Sequence, residues 1–255
     1  MRIDKPLESQ LLPLQLLWQE AFNDTDEFLN DFFMTAFSAD RCRCVTVNEE
    51  PAAALYWFDC VHMGSKAAYL YGVATAEKYR GQGLCRKLME DTHNYLKMLG
   101  YKGVILVPGS RSLFSMYEKM GYKTCSGISE FRCSGETADR IELRRIEKNE
   151  YAELRRLMLP EGGVVQENEN LDLLQTQEEF YSGSGFLLTA HGEGDTIYGV
   201  ELLGDKNAAS GIVKTLGYAE GVFRIPGDDK PFAMYYPLHD SKCKPPSYFG
   251  LAFDL

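Results

Sequence analysis

No run of 18 or more apolar residues occurs in the chain, which excludes a helical membrane span. The first residues, Met1-Arg2-Ile3-Asp4-Lys5-Pro6-Leu7-Glu8, carry acids and a proline where a secretory leader would carry an apolar core, so a cytoplasmic location is expected. Positive charge is in deficit: 27 Lys and Arg stand against 37 Asp and Glu, for a net charge of −10. A nucleic-acid partner needs a basic face for its phosphates, and this balance argues against one. Ligand pairs at zinc spacing are missing as well. Cys42-Arg43-Cys44 and Cys60-Val61-His62 only place residues two apart, which on a strand share a face. No metal is expected. The seven cysteines, scattered and odd in number, read as thiols packed as small apolar groups in a reducing compartment.

What is present is a 255-residue chain with 45% hydrophobic and 25% charged residues, the make-up of a globular protein of two ordinary domains or one large one. The acidic excess is uneven: residues 1–135 carry a net −1 and residues 136–255 a net −9. Two readings fit. One is solubility; the other is a field that draws a cationic small molecule into a cleft near the C-terminal half.

The pattern along the chain is mixed α/β. Residues 8–22 predict a helix with a broad apolar face, and Asp24 is placed to cap a second helix bearing Phe28, Phe32, Phe33 and Phe37. Those aromatics fit core packing or an acceptor pocket. Cys42 to Val47 and Ala52 to Phe58 predict a hairpin, followed by a strand from Ala67 to Thr75. A helix then runs to Gly100, a strand covers Val104 to Val107, Ser112 opens another helix, and Tyr122 to Cys133 is a strand kinked at Gly127. Composition turns polar near Ser134-Gly135-Glu136-Thr137, which sets a boundary between domains 1–135 and 136–255. The order partly repeats afterwards: a strand at Ile141 to Ile146, helices at Asn149 to Met158 and Leu171 to Tyr181, a hairpin around Gly192-Glu193-Gly194-Asp195, a helix at Asn207 to Leu216, and strands at Phe232 to Tyr236 and Tyr248 to Phe253. Met120-Gly121-Tyr122 and Leu216-Gly217-Tyr218 end equivalent helices. The second half has no glycine turn like that of residues 80–85.

That turn carries the functional signal. Arg80-Gly81-Gln82-Gly83-Leu84-Cys85-Arg86 enters a helix directly after an apolar strand. The first N–H groups of a helix have no carbonyl partner within it, and with the helix dipole they suit a pyrophosphate. Gly81 and Gly83 remove side chains where phosphate oxygens approach, and Arg80 and Arg86 add charge. A P-loop would need Lys and Ser or Thr after Gly83, and a dinucleotide fingerprint would need glycine at Arg86.

Val73-Ala74-Thr75, Tyr79-Arg80-Gly81-Gln82-Gly83-Leu84-Cys85 and Tyr117-Glu118-Lys119-Met120-Gly121-Tyr122 together resemble the GCN5-related N-acetyltransferase (GNAT) superfamily, over about residues 8–133. Arg80, Gly83 and Cys85 fall on the three positions of its Arg/Gln-x-x-Gly-x-Gly/Ala signature, with Cys85 departing from the usual Gly or Ala. The resemblance implies a mostly antiparallel mixed sheet flanked by helices, with a splayed parallel strand pair at the cofactor site. The second domain reads as a smaller, truncated and degenerate copy that helps form the acceptor side. The resemblance also implies acetyl-CoA as co-substrate, with Val73, Ala74 and Thr75 pairing its pantetheine arm and Arg80, Gly81, Gln82, Gly83, Leu84, Cys85 and Arg86 holding its pyrophosphate. Tyr117 takes the place of a tyrosine that protonates the departing thiolate.

The expected activity is transfer of an acetyl group from acetyl-CoA to an amine by direct attack in a ternary complex. The alternatives are a non-catalytic acyl-CoA sensor and a transferase acting on a protein N-terminus or lysine. An attacking amine with a pKa of about 10 must first lose a proton, so a base or water chain is needed. The strand before the turn offers no acid. Glu77, Asp59, His62, and Asp254 or the terminal carboxylate are the candidates, and removal of Asp254 and Leu255 would abolish turnover while sparing acetyl-CoA binding if the last of these serves.

Overall fold

Alternation of side chains on three long strands separates two cores. The computed structural model describes residues 1–239 and 244–253. The first half contains β1 (Arg2–Asp4), α1 (Leu11–Phe22), α2 (Asp26–Asp31), β2 (Cys42–Val47), β3 (Glu50–His62), β4 (Ser65–Thr75), α3 (Leu84–Met98), β5 (Gly103–Leu106), α4 (Arg111–Glu118) and β6 (Lys123–Ser134). Along β4, Tyr69 and Tyr71 pack on one face with Trp18, Phe32, Tyr56 and Phe58. Ala68 and Leu70 point to the other face, where Leu88, Leu96, Trp57 and Tyr122 gather. The aromatics of residues 28–37 are therefore largely core: Phe32 is 1% exposed, and its ring lies 4.7 Å from Trp18.

The second half contains β7 (Leu143–Arg145), α5 (Lys148–Met158), β8 (Val165–Gln166), α6 (Glu169–Gln177), β9 (Glu179–Gly183), β10 (Phe186–Glu193), β11 (Thr196–Gly204), α7 (Ala209–Leu216), β12 (Glu220–Gly227) and β13 (Lys230–Pro237). Leaving aside the two-residue β8 between α5 and α6, the order strand, two helices, three strands, helix, strand thus occurs twice. Both halves share one sheet among the described residues, ordered β1-β2-β3-β4-β5-β13-β6-β12-β11-β10-β9-β7, with β8 on the side of β3. Every neighbouring pair is antiparallel except β4–β5 and β11–β12, which occupy equivalent positions in the two halves. The fold is mixed α/β with a mostly antiparallel sheet flanked by helices.

The halves are joined through β6 and β13. β13 lies between β5 and β6, so a strand from residues 136–255 is hydrogen-bonded into the sheet of residues 1–135. β6 pairs with β13 up to Ile128 and with β12 from Gly127 onward. At that handover a Cβ on Gly127 would stand 2.9 Å from the carbonyl oxygens of Gly227 and Lys230. Gly127, where a kink is expected, is the point where one continuous strand changes partners.

Local detail differs from the sequence reading in three places. Thr25, not Asp24, caps α2: its Oγ1 accepts from the Phe28 N–H at 3.1 Å, while Asp24 accepts from Trp18 Nε1 at 2.7 Å. A buried indole N–H needs a partner, and Asp24 supplies it. The stretch Leu171 to Tyr181 is the end of α6 followed by β9, because Glu178 leaves helical geometry at φ −124°. Tyr248 to Phe253 forms no strand; it is an extended segment with one isolated bridge, Gly163 to Tyr248. Asp254 and the terminal carboxylate lie outside the described residues. Among the described residues no helix is long and apolar enough to cross a membrane.

Candidate functional site

β4 and β5 run parallel and in register only from Ala67–Gly103 to Tyr69–Ile105. Beyond Tyr69, β4 stays with β3, pairing Ala74 with Ala54 and Thr75 with Ala53, and leaves β5. The register shifts between Ala54 and Tyr56, and the bulge falls at Gly72, whose φ is +57°. A bulge bends a strand and raises its local twist. The result is a gap between the last residues of β4, including Val73, Ala74 and Thr75, and the end of β5, with the backbone of β4 open on that side.

The glycine turn closes one end of the gap. Glu77–Tyr79 forms a single 3-10 turn, after which Gly81 and Gly83 take φ of +75° and +77°. Such values favour glycine because a Cβ would crowd the neighbouring carbonyl. Arg80 Nε donates to the Thr75 carbonyl at 3.1 Å, tying the turn to the last residue of β4, and Gln82 Nε2 donates to the Lys78 carbonyl at 3.2 Å. Gly83 is the N-cap of α3 and brings no side chain to the first N–H groups of the helix, which have no carbonyl partner within it.

A cavity of about 310 Å³ stands there. Of the ten residues expected to bind the cofactor, Thr75, Arg80, Gly81, Gly83, Leu84, Cys85 and Arg86 line it, joined by Tyr79 and Met120. A Cβ on Gly81 or Gly83 would meet no atom of the protein within 4 Å. The space in front of both glycines is thus open for an incoming group. Cys85 is no activated thiol, since burial pushes its pKa up.

Tyr117, on α4, is 6% exposed and belongs to the same side-chain cluster as Val73, Tyr79, Leu84 and Cys85. Its ring centroid lies 5.7 Å from that of Tyr122. Behind it stands a group that the sequence reading did not single out. The Tyr122 hydroxyl and His93 Nε2 share a hydrogen bond of 2.6 Å, and the His93 ring stacks on Tyr236 at 4.3 Å. Burial pushes the His93 pKa down to about 4, so the imidazole is neutral at pH 7. His93 occurs on an apolar helix face in the sequence, but Tyr236 arrives only through β13, which no local pattern places beside β5.

Of the candidate bases, Asp59 and His62 are not brought to the gap. Asp59 pairs across from Ala68 and accepts from the Tyr101 hydroxyl, and His62 sits opposite Ser65 with Nε2 2.9 Å from the Lys244 carbonyl. Both are at the end of β4 away from the turn. Glu77 is exposed, and its N–H donates to Glu20 Oε1 at 2.5 Å. The C-terminal segment does reach β4: the Phe253 ring lies 5.4 Å from Tyr71 and 4.9 Å from Phe58.

Comparison with known proteins agrees with this fold. Residues 8–125 match the family model described as the acetyltransferase (GNAT) domain. The whole fold is similar to a conserved protein from Enterococcus faecalis V583, at 18% identity and a TM-score of 0.71 over 93% of this chain and 72% of that one. It is similar to a GCN5-related N-acetyltransferase from Kribbella flavida, at 16% identity and a TM-score of 0.69 over 93% and 72% of the two chains. A GCN5-related N-acetyltransferase from Anabaena variabilis gives 13% identity and a TM-score of 0.76 over 93% and 73%. At these identities the likeness is one of fold. No curated protein matches the chain in sequence.

Proposed function

The chain carries a GNAT domain over residues 8–125, and from that premise we propose that it moves an acetyl group from acetyl-CoA to the amine of a cationic small molecule by direct attack in a ternary complex. The observation that carries the reading is the separation of β4 from β5 beyond Tyr69, with the start of α3, uncapped by any side chain of its N-cap residue, beside it.

The chain's own residues fit the co-substrate. The open backbone of Val73, Ala74 and Thr75 offers an edge to an amide-bearing pantetheine arm. The turn from Arg80 through Gly81, Gln82, Gly83, Leu84 and Cys85 to Arg86 offers N–H groups, a helix dipole and two cations to a pyrophosphate. Cys85 packs there and takes no part in bond making. A backbone N–H of β4 stabilises negative charge on the thioester oxygen as it develops. Tyr117 delivers a proton to the departing thiolate. A thiol pKa of about 8.5 means this step needs modest help.

Residues 1–135 supply the cofactor side in this reading. Residues 136–255 supply a degenerate GNAT-like unit on the acceptor side, and their net charge of −9 favours a cationic acceptor. Calorimetric binding of acetyl-CoA, followed by thiol release with a panel of polyamines, aminoglycosides and basic peptides, tests both parts. Binding with release on small amines is the expected result. Binding without release on any amine leaves an acyl-CoA sensor, release on peptides alone leaves a protein acetyltransferase, and absence of binding overturns the reading.

A further inference from the structure

A second cavity, of about 290 Å³, lies at the start of β4, beside the hairpin that joins it to β3. Ser65 and Thr75 are the two ends of β4, so this cavity is about 30 Å along the strand from the glycine turn. Backbone bonds hold its wall together. The Lys102 N–H donates to the Lys66 carbonyl at 2.8 Å, and the Leu238 N–H donates to the Lys102 carbonyl at 3.0 Å. His62 Nε2 donates to the Lys244 carbonyl at 2.9 Å and fixes the backbone of that residue at the rim. Ala67, Gly103 and Tyr235 add apolar surface. A Cβ on Gly103 would stand 2.1 Å from the Tyr235 ring, so the ring lies directly over that backbone.

The lining is cationic although the chain is acidic. Lys66, Lys102 and Lys244 all face the cavity, and no Asp or Glu lines it among the described residues. The lysine ion pairs among the described residues are those of Lys5, Lys78, Lys148 and Lys230, so the three lysines of the cavity have none. Lys66 Nζ lies 5.7 Å from the centre of the Tyr101 ring. Asp59, near the same end of β3, accepts from the Tyr101 hydroxyl and does not line the cavity. All three lysines are exposed, so their ammonium groups are reached from solvent. In a chain of net charge −10, three ammonium groups gathered without a carboxylate make a local site for an anion.

The structure assigns this cavity to a phosphate monoester with a small apolar body. Such a phosphate carries about −1.5 to −2 charges at pH 7 and three acceptor oxygens, which match three ammonium donors. A carboxylate offers one charge and two oxygens. The body of the ligand lies against Ala67, Gly103 and Tyr235, and the volume suits a small organic molecule. The inference does not rest on acetyl transfer, and its test uses no acetyl-CoA.

The test is calorimetry of the full-length protein with phenyl phosphate, inorganic phosphate and benzoate. Phenyl phosphate is expected to bind with a Kd below about 1 mM, with the other two at least about fivefold weaker. Lys66→Ala, Lys102→Ala and Lys244→Ala should each weaken phenyl phosphate by about threefold or more, while the remote exposed Lys206→Ala leaves it unchanged. Gly83→Val should leave it unchanged as well. Absence of phenyl phosphate binding overturns the proposal. Benzoate binding as tightly as phenyl phosphate overturns the phosphate assignment. Binding lost in Gly83→Val but kept in the three lysine variants places the anion at the glycine turn and overturns it too.

Discussion

Trp18 lies across Gly72. A Cβ on Gly72 would stand 2.5 Å from a carbon of the Trp18 ring, and Gly72 itself holds φ +57°. The residue that bends β4 away from β5 is therefore fixed twice, by backbone conformation and by the indole packed over it. Gly72→Ala should cost about 2–4 kcal/mol, from the left-handed backbone and from overpacking against a buried ring. A urea melt reads this directly. An unchanged midpoint would mean that the bulge tolerates a side chain and that Trp18 does not hold it.

The turn offers a sharper contrast between stability and binding. No protein atom lies within 4 Å of a Cβ built on Gly83, yet that Cβ would enter the space proposed for a phosphate. Gly83→Val should weaken acetyl-CoA binding by at least about tenfold through backbone strain and lost approach. The far-UV spectrum and the packing of Trp18 should stay as they are. Calorimetry would count against the phosphate site if affinity were unaltered in a folded variant.

Much of this was legible because it is local. The glycine turn, the strand before it and the helix after it are contiguous in residues 65–98, and their register follows from two periodicities and one pair of positive-φ glycines. What the sequence hid is long-range. β13 threads between β5 and β6, and nothing near Phe232 or Tyr236 states which edge it will join. The cap of α2 was misplaced by one residue because Asp24 was drawn off by the Trp18 indole, a contact with the preceding helix. The apolar run of Tyr248 to Phe253 predicts a strand that does not form. Residues 248–252 are buried and Phe253 is half-buried, but the backbone bonds partly to Gln166, whose side chain meets both the N–H and the carbonyl of Leu251.

Tyr117 separates chemistry from binding. Tyr117→Phe keeps the ring that packs near Tyr122 and removes only the hydroxyl. Turnover should fall by roughly 10–100-fold, the low end for general acid catalysis because a thiolate leaves readily. The KM for acetyl-CoA should stay within a small factor. A kcat equal to that of the unaltered protein would remove Tyr117 from the chemistry and leave it as packing.

His93 ties the same region to pH. Its pKa is held at about 4 in the folded protein by burial, against 6.5 ordinarily. The folded state therefore binds fewer protons than the unfolded chain between these values. Stability contributed by the neutral imidazole is whole above pH 6.5 and is lost as pH falls toward 4, amounting to about 2 kcal/mol between pH 7 and pH 5. His93→Gln should flatten that slope, whatever it does to stability at pH 7. Equal pH slopes in urea melts of the two proteins would show that His93 does not titrate in this window.

Cys85 stands where a small residue is needed beside the turn, and its thiol is a tempting nucleophile. Its burial argues otherwise: desolvation disfavours the thiolate, and Arg86 offsets only part of that effect. A route through an acetyl-cysteine would need the thiolate form at neutral pH, in contact with the thioester carbon. Cys85 instead lines the cavity at the glycine turn, beside Gly83 and Leu84. Cys85→Ala should therefore retain kcat within about twofold, and its smaller side chain should leave acetyl-CoA affinity unchanged or improved. Mass spectrometry of the protein mixed with acetyl-CoA alone should show no added acetyl group on residue 85. Loss of turnover in the alanine variant, together with a labelled Cys85 in the parent, would replace direct transfer with a two-step route.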